Sequence, residues 1–452
     1  MGQKAKLHFN LRNSWVLLLG IILALAVFVT RWAPWQARVL SVSPQKNADA
    51  AATVHITIQF KQPMETDSVA AHFSVTPATA GKAVWDGNTF EWIPEKPLNE
   101  SIYTAHLSAG SLAVDGRSIQ QDIQWTFRVR TGEVVFLSGG NEIWAIDLEG
   151  GEPRQVTNSS GMVVNDAPAP DGERILYAQQ NEQNGSDLWW VRRDGSSAEK
   201  LVDCGKDRCS SPAWSPDGKQ AAFSRESAGE AGAFDAPRLW ILDLNTKDAR
   251  AYFPTDIPKE GAEPSWSPDG RYIAVLDASI GGIRIIDLEG GDDALLETTL
   301  ERMGHWSPDG KRLVFASEEV VEGNYGTRLM VMDLEKRKVE TFLPEEFEQA
   351  DDSTPFFSPD GSKVAVSRRV PGGPIVKQIW VMGADGSDKV KLTADETITY
   401  TVMGWDAFGK RVLFQRAQLG SSDVKPDVGF IDVETGEVHV LGVNASQPAW
   451  LY

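Results

Sequence analysis

Trp266-Ser267-Pro268-Asp269-Gly270-Arg271 decides the reading of this chain, because its Pro-Asp-Gly core returns at 170 to 172, 216 to 218, 308 to 310 and 359 to 361. A sixth, decayed copy stands at Trp405-Asp406-Ala407-Phe408-Gly409-Lys410. The Asp-equivalent positions 171, 217, 269, 309, 360 and 408 are 46, 52, 40, 51 and 48 residues apart, the period of propeller blades. Copies continue into alternating strands such as Leu313-Val314-Phe315-Ala316. A second strand type follows, as in Ile143-Trp144-Ala145-Ile146-Asp147, Leu239-Trp240-Ile241-Leu242-Asp243 and Ile379-Trp380-Val381-Met382, and it occurs seven times. Seven such strands against six turns leave the first repeat without an innermost strand. The segment Gln447-Pro448-Ala449-Trp450 aligns with Ser211-Pro212-Ala213-Trp214 and predicts the missing piece. The expectation is a seven-bladed β-propeller over 132–452, closed by its C-terminal strand so that no sheet edge is left open.

Composition agrees with β structure. The 452 residues include 40 Gly, 24 Pro and 16 Trp, suited to many tight turns and aromatic strand positions. A net charge of −19 repels phosphate backbones, so no nucleic-acid partner is expected. Residues 1–13 carry Lys4, Lys6 and Arg12, and Trp15 to Val29 is apolar throughout except for Gly20. With Trp32 and Trp35 at the far interface, residues 14–36 predict a single-pass transmembrane helix with residues 1–13 as a cytoplasmic tail. The predicted location is a bacterial cytoplasmic membrane, with the bulk of the chain extracytoplasmic and a charge of −23 over residues 37–452.

Between 37 and 131 the pattern has period two: Val54, Ile56, Ile58 and Phe60 alternate with polar residues. Further runs at Phe73–Val75, Val84–Trp85, Thr89–Ile93, Ile102–Leu107 and Ile123–Val129 predict a sandwich that needs no helix. Phe60-Lys61-Gln62-Pro63-Met64, Trp92-Ile93-Pro94-Glu95-Lys96-Pro97-Leu98, Tyr103, Asp115-Gly116 and Trp125-Thr126-Phe127 make this segment resemble bacterial Ig-like domains of surface proteins. That resemblance implies a spacer or adhesion module. His55, His72 and His106 share no ligand spacing and read as strand surface residues. The Ser-Pro-Asp-Gly turns and Asp-Leu-x-x-Gly hairpins make 132–452 resemble the TolB-like propellers with their WD-type repeats. Members of that family include periplasmic interaction scaffolds and the propeller halves of prolyl-oligopeptidase-like enzymes. With the expected propeller reaching Tyr452, no hydrolase domain is expected after it.

The Pro-Asp-Gly turns are stereotyped, with Asp bonding its own backbone and Gly accepting positive φ, and read as structural. Length variation gathers on the opposite face, at 179–187, 225–238, 317–328, 344–353, 368–377 and 416–427. Rigid scaffolds carry function on such loops. Glu345, Glu346, Phe347, Glu348, Asp351 and Asp352, with Glu318, Glu319, Glu322 and Tyr325 on the preceding repeat, predict an acidic rim for a basic partner or a cation. Arg368 and Arg369 form a smaller basic counter-patch, and solvated loop charge is the competing reading. Cys204 and Cys209 bracket four residues and predict a disulfide.

Nucleophile elbows, His-Glu-x-x-His helices and phosphate loops are absent from the sequence. Some TolB-like propellers resemble lyases that hold a channel metal with several histidines, but this propeller segment has only His305 and His439. His305 reads as packed or solvated rather than catalytic. The expectation is therefore a non-enzymatic scaffold that needs no cofactor or metal and binds a protein or envelope polymer. A channel-based carbohydrate lyase or hydrolase, and a self-assembling envelope component, are the alternatives.

Overall fold

The computed structural model describes residues 36–130, 132–148, 151–160, 162–254, 257, 259–290, 293–298, 302–321, 324–342, 351–370, 372–420 and 425–452. The expected anchor therefore lies outside the described residues but for Gln36. Among them no helix is long and apolar enough to cross a membrane. The chain divides into two compact units near Arg128 and Val129.

In the first unit, Val39–Ser43, Ile56–Phe60, Thr89–Pro94 and Gly81–Asp86 form one antiparallel sheet. Ile123–Val129, Ser101–Leu107 and Phe73–Thr76 belong to the second. The alternation seen in the sequence is the burial pattern: Ile56, Ile58 and Phe60 are buried, while Gln59 is exposed. Phe90 and Trp92 point inward likewise, and Phe73 meets Phe90 edge to face at 4.9 Å. The sequence reading needed no helix, yet Thr66–His72 is one. It is a two-turn connection that buries only Val69, too short for a 3.6-residue periodicity to register.

The second unit repeats one antiparallel four-strand sheet. Val163–Pro168, Arg174–Gln180, Ser186–Arg192 and Glu199–Val202 make one copy, and Ala262–Trp266, Tyr272–Asp277, Gly282–Asp287 and Ala294–Glu297 another. In the first repeat, Glu133–Ser138 and Glu142–Asp147 take their inner neighbour from the far end of the chain. Ser446–Leu451 pairs antiparallel with Glu133–Ser138, with Ala449 opposite Val135. Apolar strand centres pack between repeats: Val135, Leu137 and Ile143 cluster with Ile175, Tyr177 and Leu451.

The recurrent motif explains itself in the turns. Ser267 Oγ donates to Asp269 (2.5 Å) and accepts from the Tyr272 N–H (2.8 Å), while Asp269 accepts from the Arg271 N–H (3.1 Å). Gly270 completes the turn at φ +75°, open to glycine at no steric cost. In the decayed copy Asp406 replaces the serine, and its carboxylate alone accepts from the N–H groups of Lys410 (2.7 Å) and Arg411 (3.0 Å). The motif's tryptophans latch successive repeats. The indole N–H of Trp214 donates to Ala167 O, that of Trp306 to Ser265 O, and that of Trp405 to Phe356 O.

Candidate functional site

The charged residues on the variable-loop face meet on three neighbouring strands. Asp351–Phe357 pairs with Lys363–Arg369, with Asp351 opposite Arg369 and Asp352 opposite Arg368. Lys363–Arg369 pairs in turn with Gln378–Gly383, with Arg368 opposite Gln378. Asp352, Arg368 and Gln378 thus form one row across the sheet, only 4, 3 and 5% exposed. Of the expected acidic rim and basic counter-patch, Asp351, Asp352, Arg368 and Arg369 are already paired across the sheet: Asp352 lies 3.6 Å from Arg368, and Asp351 lies 2.8 Å from Lys377 and 3.5 Å from Arg369. A cross-strand register that sets acid opposite base satisfies charges that loop-by-loop reading counts as free.

Environment separates the two carboxyls. Burial alone would raise Asp351, but hydrogen bonds from Lys377 and Thr327 outweigh it and hold its pKa below the ordinary range. Burial pushes Asp352 up to about 6, offset only in part by Arg368. Lys377 also donates to Ser353 Oγ at 2.9 Å, tying the strand start to the loop that follows.

Glu318, Glu319 and Tyr325 are not on a loop. Arg312–Val321 and Asn324–Asp333 form a ten-residue hairpin with Glu318 opposite Thr327, Glu319 opposite Gly326 and Val320 opposite Tyr325. Antiparallel pairing continues past the sheet body there, so the length variation is extra strand. Glu322, Glu345, Glu346, Phe347 and Glu348 lie outside the described residues. Cys204 and Cys209 are joined by a disulfide with Cα atoms 6.3 Å apart.

His305 sits on an inner strand with its ring stacked on Phe356, centroids 3.5 Å apart. Burial lowers its pKa to about 4, which leaves the ring neutral at pH 7. Asp166, on the inner strand Val163–Pro168, is raised to about 7 by burial. Among the described residues no group of three or more His, Cys, Asp or Glu is placed to hold a metal ion.

One set of positions escaped the sequence reading: the polar residue that opens the third strand of a repeat. Glu142 accepts from Thr157 Oγ1 (2.6 Å) and the Ser159 N–H (2.8 Å), Asp187 accepts from the Cys204 N–H (2.9 Å), and Gln378 Nε2 donates to Asp395 O (2.7 Å) and Ile398 O (3.0 Å). Each fastens the loop that leaves the outer strand. The signal was present, two residues ahead of Trp144, Trp189 and Trp380.

With the geometry in place, kinship is informative. An uncharacterized peptidase of Bacillus subtilis (strain 168), YuxL, is 29% identical over 203 residues, 44% of this chain and 28% of the relative. The chain spans less than half the length of the curated relatives it matches, 28% and 46%. Among solved structures, TolB from Acinetobacter baumannii is 18% identical with a TM-score of 0.40, covering 72% of this chain and 82% of that one. The β-propeller domain of the Trilobed protease from Pyrococcus furiosus is 13% identical with a TM-score of 0.46, covering 76% and 96%. The expectation of a non-enzyme is overturned by the relative in Bacillus, which is named a peptidase. Residues 35–129 match the bacterial Ig-like domain and residues 128–351 the TolB beta propeller domain, so the chain joins an Ig-like domain to a TolB-type propeller.

Proposed function

We propose that the chain is a membrane-anchored extracytoplasmic protein whose propeller holds a polypeptide or an envelope polymer on its variable-loop face. In this reading residues 14–36 are the anchor, the Ig-like domain is a spacer, and seven four-stranded blades close through Ser446–Leu451. The closure is supported by the pairing of that strand with Glu133–Ser138. Kinship with a protein named a peptidase favours a polypeptide as the occupant.

The observation that carries the binding reading is the interlocked row Asp352–Arg368–Gln378 with its neighbours Asp351 and Lys377. It fastens strand ends to the loops above them, so whatever those loops present is held on a rigid frame. With the frame charges matched internally, Glu345, Glu346 and Glu348, which precede Asp351 in the sequence, are the acids assigned here to a basic partner. The test is capture of partners from detergent-solubilised envelope by the full-length protein and by its Glu345→Gln/Glu346→Gln/Glu348→Gln variant. Loss of a specific partner in the variant is expected. A partner held equally by both places the interface elsewhere and defeats the assignment.

A further inference from the structure

Away from the acids assigned to a basic partner, the first two repeats leave a groove between them. The outer strand of the first repeat, Arg154–Gln155, stops after two residues, and 156–160 run on as loop. That loop and the second repeat wall two lobes, a smaller one of about 520 Å³ and a larger one of about 530 Å³. Each falls within the roughly 300–1,000 Å³ of small-ligand sites. The lobes share Ser159, Gln179 and Trp189, so they are two parts of one groove.

Its chemistry differs from that of the chain at large. Charged residues make up 24% of the sequence, yet among the described residues none lines the smaller lobe, so charge does not select what lies there. In the larger lobe Lys200 is taken by Asp187 at 2.7 Å, while Glu182 and Asp203 stand exposed and repel an anion. The amide side chains of Asn158, Gln179, Gln180 and Gln183 make no hydrogen bond among the described residues, and each can both donate and accept. Tyr177 and Trp189 are cross-strand partners with nearly parallel rings, 21° between planes and 6.5 Å between centres. Tyr177 is only 3% exposed, but its hydroxyl is neither sealed from solvent nor hydrogen-bonded among the described residues. Burial and then the Glu142 carboxylate push its pKa up to about 12, which keeps it a neutral hydroxyl. The same Glu142 fixes Thr157 and Ser159, which line the smaller lobe together with Tyr177.

We propose that this groove binds a neutral oligosaccharide chain, with Trp189 and Tyr177 as aromatic wall and the free amides and the Tyr177 hydroxyl as partners for sugar hydroxyls. A sugar brings apolar C–H faces and hydroxyls that each donate and accept, which aromatic rings and uncharged amides satisfy together. An extended polypeptide is less well served, because the smaller lobe offers no counter-charge and the adjoining strand edge is two residues long. The site is separate from the acidic partner site and does not depend on it. The test is calorimetric titration of the full-length protein, in a detergent without a sugar headgroup, with chitohexaose, maltohexaose, oligogalacturonate and the neutral peptide acetyl-(Gly-Ser)3-amide. Saturable binding of at least one neutral hexasaccharide is expected, with oligogalacturonate at least about tenfold weaker and the peptide unbound. Trp189→Ala should weaken the sugar about tenfold, and Tyr177→Phe and Gln179→Ala severalfold each at unchanged melting temperature. Binding of neither neutral hexasaccharide, or affinity unchanged in both Tyr177→Phe and Gln179→Ala, overturns the proposal. Oligogalacturonate bound as tightly as the neutral sugars overturns it too, and binding of the peptide alone overturns it in favour of a polypeptide. The Glu345→Gln/Glu346→Gln/Glu348→Gln variant should bind the sugar as the wild type does; loss there moves the sugar to the acidic segment and overturns the proposal. A protein that binds the sugar but captures no basic partner supports the groove and defeats the acidic assignment alone.

Discussion

Asp166 occupies a position that is proline in four other repeats, at 212, 264, 355 and 448. Its Oδ2 is shielded from water without a hydrogen-bond partner among the described residues, although the residue as a whole is half-buried. Burial raises its pKa from 3.8 to about 7, so the folded state binds this proton more tightly than the unfolded state. The associated stability is complete below pH 3.8 and is lost as pH rises through about 7. Asp166→Asn removes the titration. Allowing for partial screening by solvent, the variant should gain about 2 kcal/mol at pH 8 and nothing near pH 4, read by denaturant melts at both values. Equal gains at the two pH values would show that the carboxylate is already solvated. Burial also raises Asp406, the acid in another recurrent position, but there two backbone N–H groups, those of Lys410 and Arg411, offset part of the effect.

At the scale of strands, the row Asp352–Arg368–Gln378 makes a sharper statement than any one residue. Removing one partner of a buried ion pair leaves the other uncompensated, whereas removing both costs much less. Arg368→Met should therefore destabilise by about 3 kcal/mol, and adding Asp352→Asn should restore most of that loss, measured by urea melts of both variants and the double mutant. Additive losses would mean that the two side chains are not coupled. The same strands show where sequence reading runs out. Asp351, Asp352, Arg368 and Arg369 were legible as charged and adjacent to variable loops. That they cancel pairwise depends on a register between segments 17 residues apart, which periodicity within each segment does not encode. The hairpin carrying Glu318 was likewise misjudged as a loop, since Glu-Glu-Val-Val breaks the alternation that marks a strand.

For the propeller domain as a whole, the pairing of Ser446–Leu451 with Glu133–Ser138 joins the two ends of the repeat array. Leu451 is fully buried against Val135, Leu137 and Ile143, so it contributes to the core of a repeat begun over 300 residues earlier. Leu451→Ala should cost about 3 kcal/mol, and Val440→Ala, on a partly exposed outer strand, under about 0.5 kcal/mol. Tryptophan fluorescence and far-ultraviolet circular dichroism should report a single coincident transition for each variant. A Leu451→Ala protein as stable as wild type would mean that the end strand is dispensable and the closed ring is wrong.

The repeat period, the Ig-like alternation, the turn chemistry of Ser-Pro-Asp-Gly and the alignment of the last strand with other inner strands were all determined by the sequence itself. These are local signals: a turn needs its own Asp and Gly, and a strand displays its buried face every second residue. What only the tertiary structure decided is which polar groups are already spoken for. Asp187 is satisfied by Lys200, Asp352 is paired with Arg368, and Gln378 Nε2 is taken by the carbonyls of Asp395 and Ile398. Desolvation and pairing depend on what packs within a few ångströms, and in a repeat protein those neighbours come from other strands and other repeats. Equivalent motif positions thus carry a lysine-capped carboxylate in one repeat and an amide bonded to two carbonyls in another.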